Sequence, residues 1–211
     1  LATTTELSFG AQVKGVRFTS DFALPGYRTT FGDSLDINVS NFVSTGYKAS
    51  GYAQISHRFL DDLRVTVGGR LDYFSLIDMK TYLSPRASIA YDISPLTSIT
   101  ASAGVYRQNP SYVWLVANEK NRALRAARAD QYILSIDHLL DVDLKLRLEG
   151  FYKDYRDYPA SMNRPYLVLA NTGGGFGGSD ENFASFGFDE LVSLGKGQSR
   201  GVELLLQKKL S

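Results

Sequence analysis

One polar stretch, residues 107–128, carries side chains with the chemistry to hold a small solute. Tyr112 and Trp114 present flat apolar faces with a polar edge, suited to stacking on a sugar or an aromatic chelate. Arg107, Lys120, Arg122 and Arg125 present positive charge to an anionic ligand. The run from Lys120 to Arg128 also suits acidic lipopolysaccharide, and the part from Asn118 to Arg128 has helical propensity. The plainer reading is that both sets only pack their loops, and it stays open here.

Other groups suggest less chemistry. The glycine run Gly173–Gly178 lacks the preceding strand, following helix and Lys-Ser/Thr of a phosphate-cradling loop, so it reads as an exposed loop. Asp180-Glu181 has no spaced set of oxygen ligands around it. His57 and His138 fall near tight turns and read as interfacial histidines rather than a metal pair. Tyr106, Ser111 and His57 are not placed to serve together as nucleophile and base, and Asp61-Asp62 is turn chemistry. No catalytic residue, metal site or cofactor is assigned, and an enzyme is not expected.

The totals narrow the class. Lysine plus arginine is 23 against 22 for aspartate plus glutamate, which gives no long-range pull toward nucleic acid. Cysteine is absent, so disulfides and thiolate sites are ruled out. Thirteen tyrosines, one tryptophan and 19 glycines suit short aromatic-ended strands. No apolar run is long enough for a membrane helix. The chain opens without methionine and directly into a strand pattern, which suggests a piece of a longer precursor.

The elements that must position these residues are strands. From Asp130 to Tyr158, two arms alternate in period two. Tyr132, Leu134, Ile136 and His138 share one face of the first; Leu144, Leu146, Leu148 and Tyr152 alternate with Lys145, Arg147, Glu149 and Lys153 in the second. Similar alternation covers 6–18, 47–59, 63–76, 82–93, 97–106 and 198–210. A glycine bulge at Gly15 is expected, because the apolar phase shifts there from Val13 to Val16. Long connections are expected over 19–44, 108–129 and 159–196, a short one near 77–80, and tight turns near 60–62, 94–95 and 140–142.

Eight strands follow, with tight links alternating with longer ones. An up-and-down meander then gathers its tight turns at one end and its loops at the other, as outer-membrane barrels do. Tyr73, Tyr132 and Tyr152 lie toward the loop end of the apolar face, Phe59 and Tyr91 toward the turn end, as two aromatic girdles would. The opposite face holds Gly10, Ser56, Thr66, Ser88, Ala90, Ser102 and Gly104, too small to fill a closed eight-stranded barrel. The expected fold is all-β: antiparallel up-and-down strands forming an arc of a larger transmembrane β-barrel, with residues 1–211 as one partial barrel domain.

Several phrases resemble the barrel wall of TonB-dependent outer-membrane receptors. They are Val67-Gly68-Gly69-Arg70-Leu71-Asp72-Tyr73, Leu83-Ser84-Pro85-Arg86-Ala87-Ser88, Ala129-Asp130-Gln131-Tyr132, Leu148-Glu149-Gly150-Phe151-Tyr152-Lys153-Asp154-Tyr155 and Gly201-Val202-Glu203-Leu204. The resemblance runs from about residue 45 to the C-terminus. One departure is Ala126 after Leu124-Arg125, where the family commonly has a proline. The resemblance implies a bacterial outer-membrane location, lipid around the wall and a 22-stranded barrel. It also implies an N-terminal plug, absent from this chain, that contacts the TonB complex. The implied activity is uptake of a scarce solute such as an iron chelate, a vitamin or a glycan. The alternative is a self-contained small outer-membrane barrel with a structural or adhesion role.

Overall fold

The computed structural model describes residues 4–23, 27–28, 34–35, 39–163, 168–170 and 190–209. In chain order the strands are β1 (Thr5–Ala23), a two-residue pair β2 (Tyr27–Arg28) and β3 (Ser34–Leu35), then β4 (Val39–Phe59), β5 (Leu63–Phe74), β6 (Thr81–Ser94) and β7 (Thr97–Gln108). A short helix α1 (Tyr112–Ala117) and a 3₁₀ turn (Glu119–Ala123) follow, before β8 (Ala127–Asp141), β9 (Leu144–Ser161) and β10 (Leu191–Lys208). One eight-stranded sheet runs β1-β4-β5-β6-β7-β8-β9-β10, with every pair antiparallel.

The alternation of link lengths is as the sequence reading expects. Residues 60–62, 95–96 and 142–143 make the tight turns, all at one end of the meander. Leu60 takes a left-handed conformation there (φ 56°), which a tight reversal imposes on it. No helix among the described residues is long and apolar enough to cross a membrane.

Four local expectations are corrected. The loop assigned to 19–44 is partly strand, since β1 and β4 stay paired from Thr19↔Val43 to Ala23↔Val39. The bulge at Gly15 does not form, because that register runs unbroken from Thr5↔His57. The phase shift means instead that Val16 and Phe18 stand on the polar face. The helix expected over 118–128 is only a 3₁₀ turn, started by the Asn118 side chain accepting from the Lys120 N–H at 3.0 Å. Beyond it the chain must extend, since Arg107↔Arg128 and Gln108↔Ala127 pair across β7 and β8. The last connection is shorter than 159–196, as β9 reaches Ser161 and β10 begins at Leu191. The Gly173–Gly178 run and Asp180-Glu181 lie outside the described residues.

Register carries the two faces across the whole sheet. Leu7, Ile55, Val67, Ala87, Ala103, Tyr132 and Tyr152 form one row on the apolar face. That face is open: Phe9 is 75% and Val13 76% exposed. The polar face is knit by side chains, with Thr66 donating to Ser56 at 3.0 Å and Asp137 paired to Arg147 at 2.7 Å and Lys145 at 2.9 Å. His57 and His138 do not meet, since β4 and β8 are not neighbours. Each instead lies 2.7–2.8 Å from the hydroxyl of its cross-strand threonine, Thr5 or Thr97.

The buried core sits at the loop end. Phe74, Ile77, Trp114, Leu115, Leu124, Leu169 and Leu191 cluster where α1 and the 3₁₀ turn fold back onto the strand ends. The apolar face therefore remains outside the protein's own core, as a lipid-facing wall requires. Its upper limit is marked by chemistry. Tyr132 and Tyr152 pair across β8 and β9 with centroids 6.4 Å apart. Two residues further toward the loops, Asp130 and Asp154 hold Arg128 and Arg156 at 2.7 Å.

Candidate functional site

Four adjacent strands bring polar side chains to one place at the loop end of the polar face. Lys48 comes from β4, Arg70 and Asp72 from β5, Tyr82 and Arg86 from β6, and Tyr106 and Arg107 from the end of β7. Tyr112 at the start of α1 closes one side. Together they line a cavity of about 550 Å³. Arg86 lies in register between Gly68 and Gly104, neither of which has a side chain to crowd it. A Cβ at Gly104 would come within 3.0 Å of the Tyr106 ring and 3.3 Å of Arg86 Cγ.

The cations fall into two kinds. Arg70 is neutralised by Asp72, whose two oxygens accept from Nε at 3.0 and 2.9 Å. Lys48, Arg86 and Arg107 have no carboxylate within ion-pair distance among the described residues and are held by aromatic rings instead. Lys48 Nζ stands 4.4 Å from the Tyr112 centroid and 4.6 Å from that of Phe74. Arg86 Cζ is 5.2 Å from the Tyr106 centroid, and Arg107 Cζ is 5.9 Å from that of Tyr82. A ring face positions a cation without cancelling its charge. Three charges thus remain available to an anion, beside the three rings that line the cavity, Tyr82, Tyr106 and Tyr112, which suit an aromatic or conjugated one. The Arg107 Nε atom is buried and has no hydrogen-bond partner, a donor left for something else to satisfy.

The aromatic framework is itself braced. Tyr112 meets Phe74 edge-on at 5.8 Å and stacks on Phe18 at 6.1 Å. The Tyr82 hydroxyl donates to Asn109 Oδ1. The unbroken register of β1 is what delivers Phe18 to this face.

Of the residues singled out from the sequence, Arg107 and Tyr112 line the cavity. Trp114 does not: it is buried at 4% exposure in the loop core. Lys120 is tied to Glu190 at 2.6 Å, and Arg125 lies 3.7 Å from Asp157 while its N–H donates to Ser193. These two fasten the 3₁₀ turn to the ends of β9 and β10. Arg122 is exposed, and its carbonyl accepts from the Asp78 N–H. Lys48, Arg70, Arg86, Tyr82 and Tyr106 were missed. The available signal was their common phase on the polar face near the loop end of successive strands.

Among the described residues no cluster of His, Cys, Asp or Glu is arranged to hold a metal ion. The sequence matches the family described as "TonB dependent receptor-like, beta-barrel" over residues 1–210. Similar solved structures include a mutant of the ferric enterobactin receptor from Pseudomonas aeruginosa in complex with enterobactin: 16% identity, TM-score 0.66, covering 97% of this chain and 31% of that one. The ferric-catecholate import receptor Fiu from E. coli K12 gives 12% identity, TM-score 0.64, and coverage of 99% and 33%. The FrpB iron transporter from Neisseria meningitidis gives 17% identity, TM-score 0.54, and coverage of 80% and 24%. These likenesses concern the fold, and the chain spans a third or less of each structure's length. No curated protein matches the sequence significantly.

Proposed function

The chain belongs to the TonB-dependent receptor-like β-barrel family, and from that premise we propose that it is part of the wall of an outer-membrane receptor for an anionic, aromatic metal chelate. Residues 1–211 supply about eight strands of the barrel domain. The remaining strands and the plug, through which the TonB complex would act, belong to the rest of the full-length protein. Lipid surrounds the apolar face.

One observation carries the ligand class: Lys48, Arg86 and Arg107 keep their charge because rings, not carboxylates, hold them. A neutral glycan or vitamin would gain little from three such cations. A ferric catecholate carries negative charge on an aromatic surface and uses both halves of the cavity. The relatives named for ferric enterobactin and ferric-catecholate import support the same class.

The test is titration of the full-length protein with ferric enterobactin. Lys48→Gln, Arg86→Gln and Arg107→Gln combined should weaken binding at least a hundredfold, by about 1 kcal/mol or more per lost contact. Affinity unchanged by the triple substitution would exclude this cavity.

A further inference from the structure

We propose that Arg58 and Arg64 form a second anion site on the polar face, at the turn end, which an anionic chelate occupies after leaving the cavity. This rests on the ligand reading above. The two arginines are cross-strand partners in the β4–β5 register, so both guanidiniums leave the sheet on the same side. Arg64 is exposed and Arg58 half-buried. Like charges directly opposite one another repel, and an anion between them relieves that repulsion. Among the described residues no carboxylate comes within ion-pair distance of either, and no ring holds them. Glu6 on β1 and Asp92 on β6 are the nearest acids on that face by register, each diagonal to an arginine, and neither reaches one. β4 and β5 each have two sheet neighbours in this chain, so no further strand stands beside the pair.

The face between the two sites suits the passage of an anion. Arg86 at the cavity pairs with Gly68, and Arg64 lies four residues further along β5, roughly 13 Å away. Over that span the polar face of β4 to β6 carries Gln54, Ser56, Gly68, Thr66, Ser88 and Ala90, none of them ionised. Thr66 donates to Ser56 at 3.0 Å in the row next to the arginines, which keeps that step neutral. The opposite sign lies further round the arginines' own register row, which runs through Ala90, Thr100 and Ser135 to Glu149 on β9. An anion moving along this wall is drawn to β4 and β5 and repelled from β9. Two guanidiniums side by side also offer the planar forks that take several oxygens of one ligand.

The experiment uses the full-length receptor in cells, with ferric enterobactin as the probe. Equilibrium binding to de-energised cells reads the cavity, and uptake into energised cells reads passage. Arg58→Gln and Arg64→Gln combined should leave Kd within about twofold of the wild type and lower the maximal uptake rate by about fivefold or more. Arg58→Lys with Arg64→Lys should recover at least about half of that rate. Unchanged uptake in the double glutamine variant, or a loss of affinity as large as the loss of rate, would overturn the site. Sensitivity of the same cells to vancomycin reads whether the pore stays closed. A gain of sensitivity would show that the pair instead holds a carboxylate of the protein itself, and would also overturn it. Normal binding with unchanged uptake removes this proposal alone, whereas a wild type that does not bind ferric enterobactin removes the ligand reading with it.

Discussion

Arg86 stands over the ring of Tyr106, its Cζ 5.2 Å from the centroid, on the polar face of a sheet whose other side is apolar. The two belong to adjacent strands, and Gly104 beside them leaves the room they share. This contact holds a guanidinium in place and leaves its charge intact. If that is the role of the ring, removing it should misplace Arg86 without removing the charge. Tyr106→Leu should weaken ferric enterobactin binding about 2–5-fold, the equivalent of about 0.5–1 kcal/mol. Isothermal titration at two salt concentrations would check it, since the salt dependence should survive.

Asp72 acts in the opposite sense, cancelling Arg70 at the cavity wall. Asp72→Asn should release a fourth cation and tighten binding of the same anion by about 1 kcal/mol, roughly fivefold. Weaker binding by this variant would show that Arg70 needs its carboxylate to be positioned.

Tyr112 and Trp114 are two residues apart and have different tasks. Trp114→Ala empties part of the loop core and should destabilise that package by about 3–5 kcal/mol. Limited proteolysis between β7 and β8 would report it. Tyr112→Ala should chiefly lower affinity, because Tyr112 supports Lys48 beside the cavity. Equal protease sensitivity of the two variants would contradict this division.

Asn121 is a buried stitch. Its Nδ2 donates to the Trp114 carbonyl at 2.8 Å, and its Oδ1 accepts from the Leu191 N–H at 2.7 Å. Asn121→Ala would strand a donor and an acceptor at a cost of about 1–3 kcal/mol each. Amide hydrogen exchange at Leu191 should accelerate while exchange in the middle of β8 stays slow.

Leu148 and Arg147 are sequence neighbours on opposite faces. Leu148→Arg places a charge in the apolar band and should cost about 2–4 kcal/mol if it lies near mid-membrane. Arg147→Leu leaves Asp137 its second partner, Lys145, and should assemble well. Heat-modifiable mobility after refolding into vesicles would separate them, and equal yields would refute the assigned faces.

The architecture was legible because its signals are local. Period-two alternation assigns a face to most strand residues, failing only past Gly15 in β1, and alternating link lengths assign an end to each turn. Neither needs knowledge of which strand lies beside which. The strand limits were less legible. Thr19–Ala23 and Val39–Val43 look like loop, yet they pair with each other, and backbone pairing is indifferent to side-chain polarity.

The candidate site was readable only in part. Arg107 and Tyr112 stand out because they lie in a loop-rich stretch with aromatic and basic neighbours. Lys48, Arg70 and Arg86 look like ordinary polar members of alternating strands. Only register brings them together, since contact across antiparallel strands depends on where each turn reverses the chain. Conversely, Lys120 and Arg125 look available as written, and folding commits them to Glu190 and Asp157. Sequence alone determined which side chains are charged and which face most strand residues take, though not Val16 and Phe18, whose face only the unbroken β1–β4 register decided. Tertiary structure decided which charges are cancelled by carboxylates and which stay open over a ring, because that depends on distances between residues far apart in the chain.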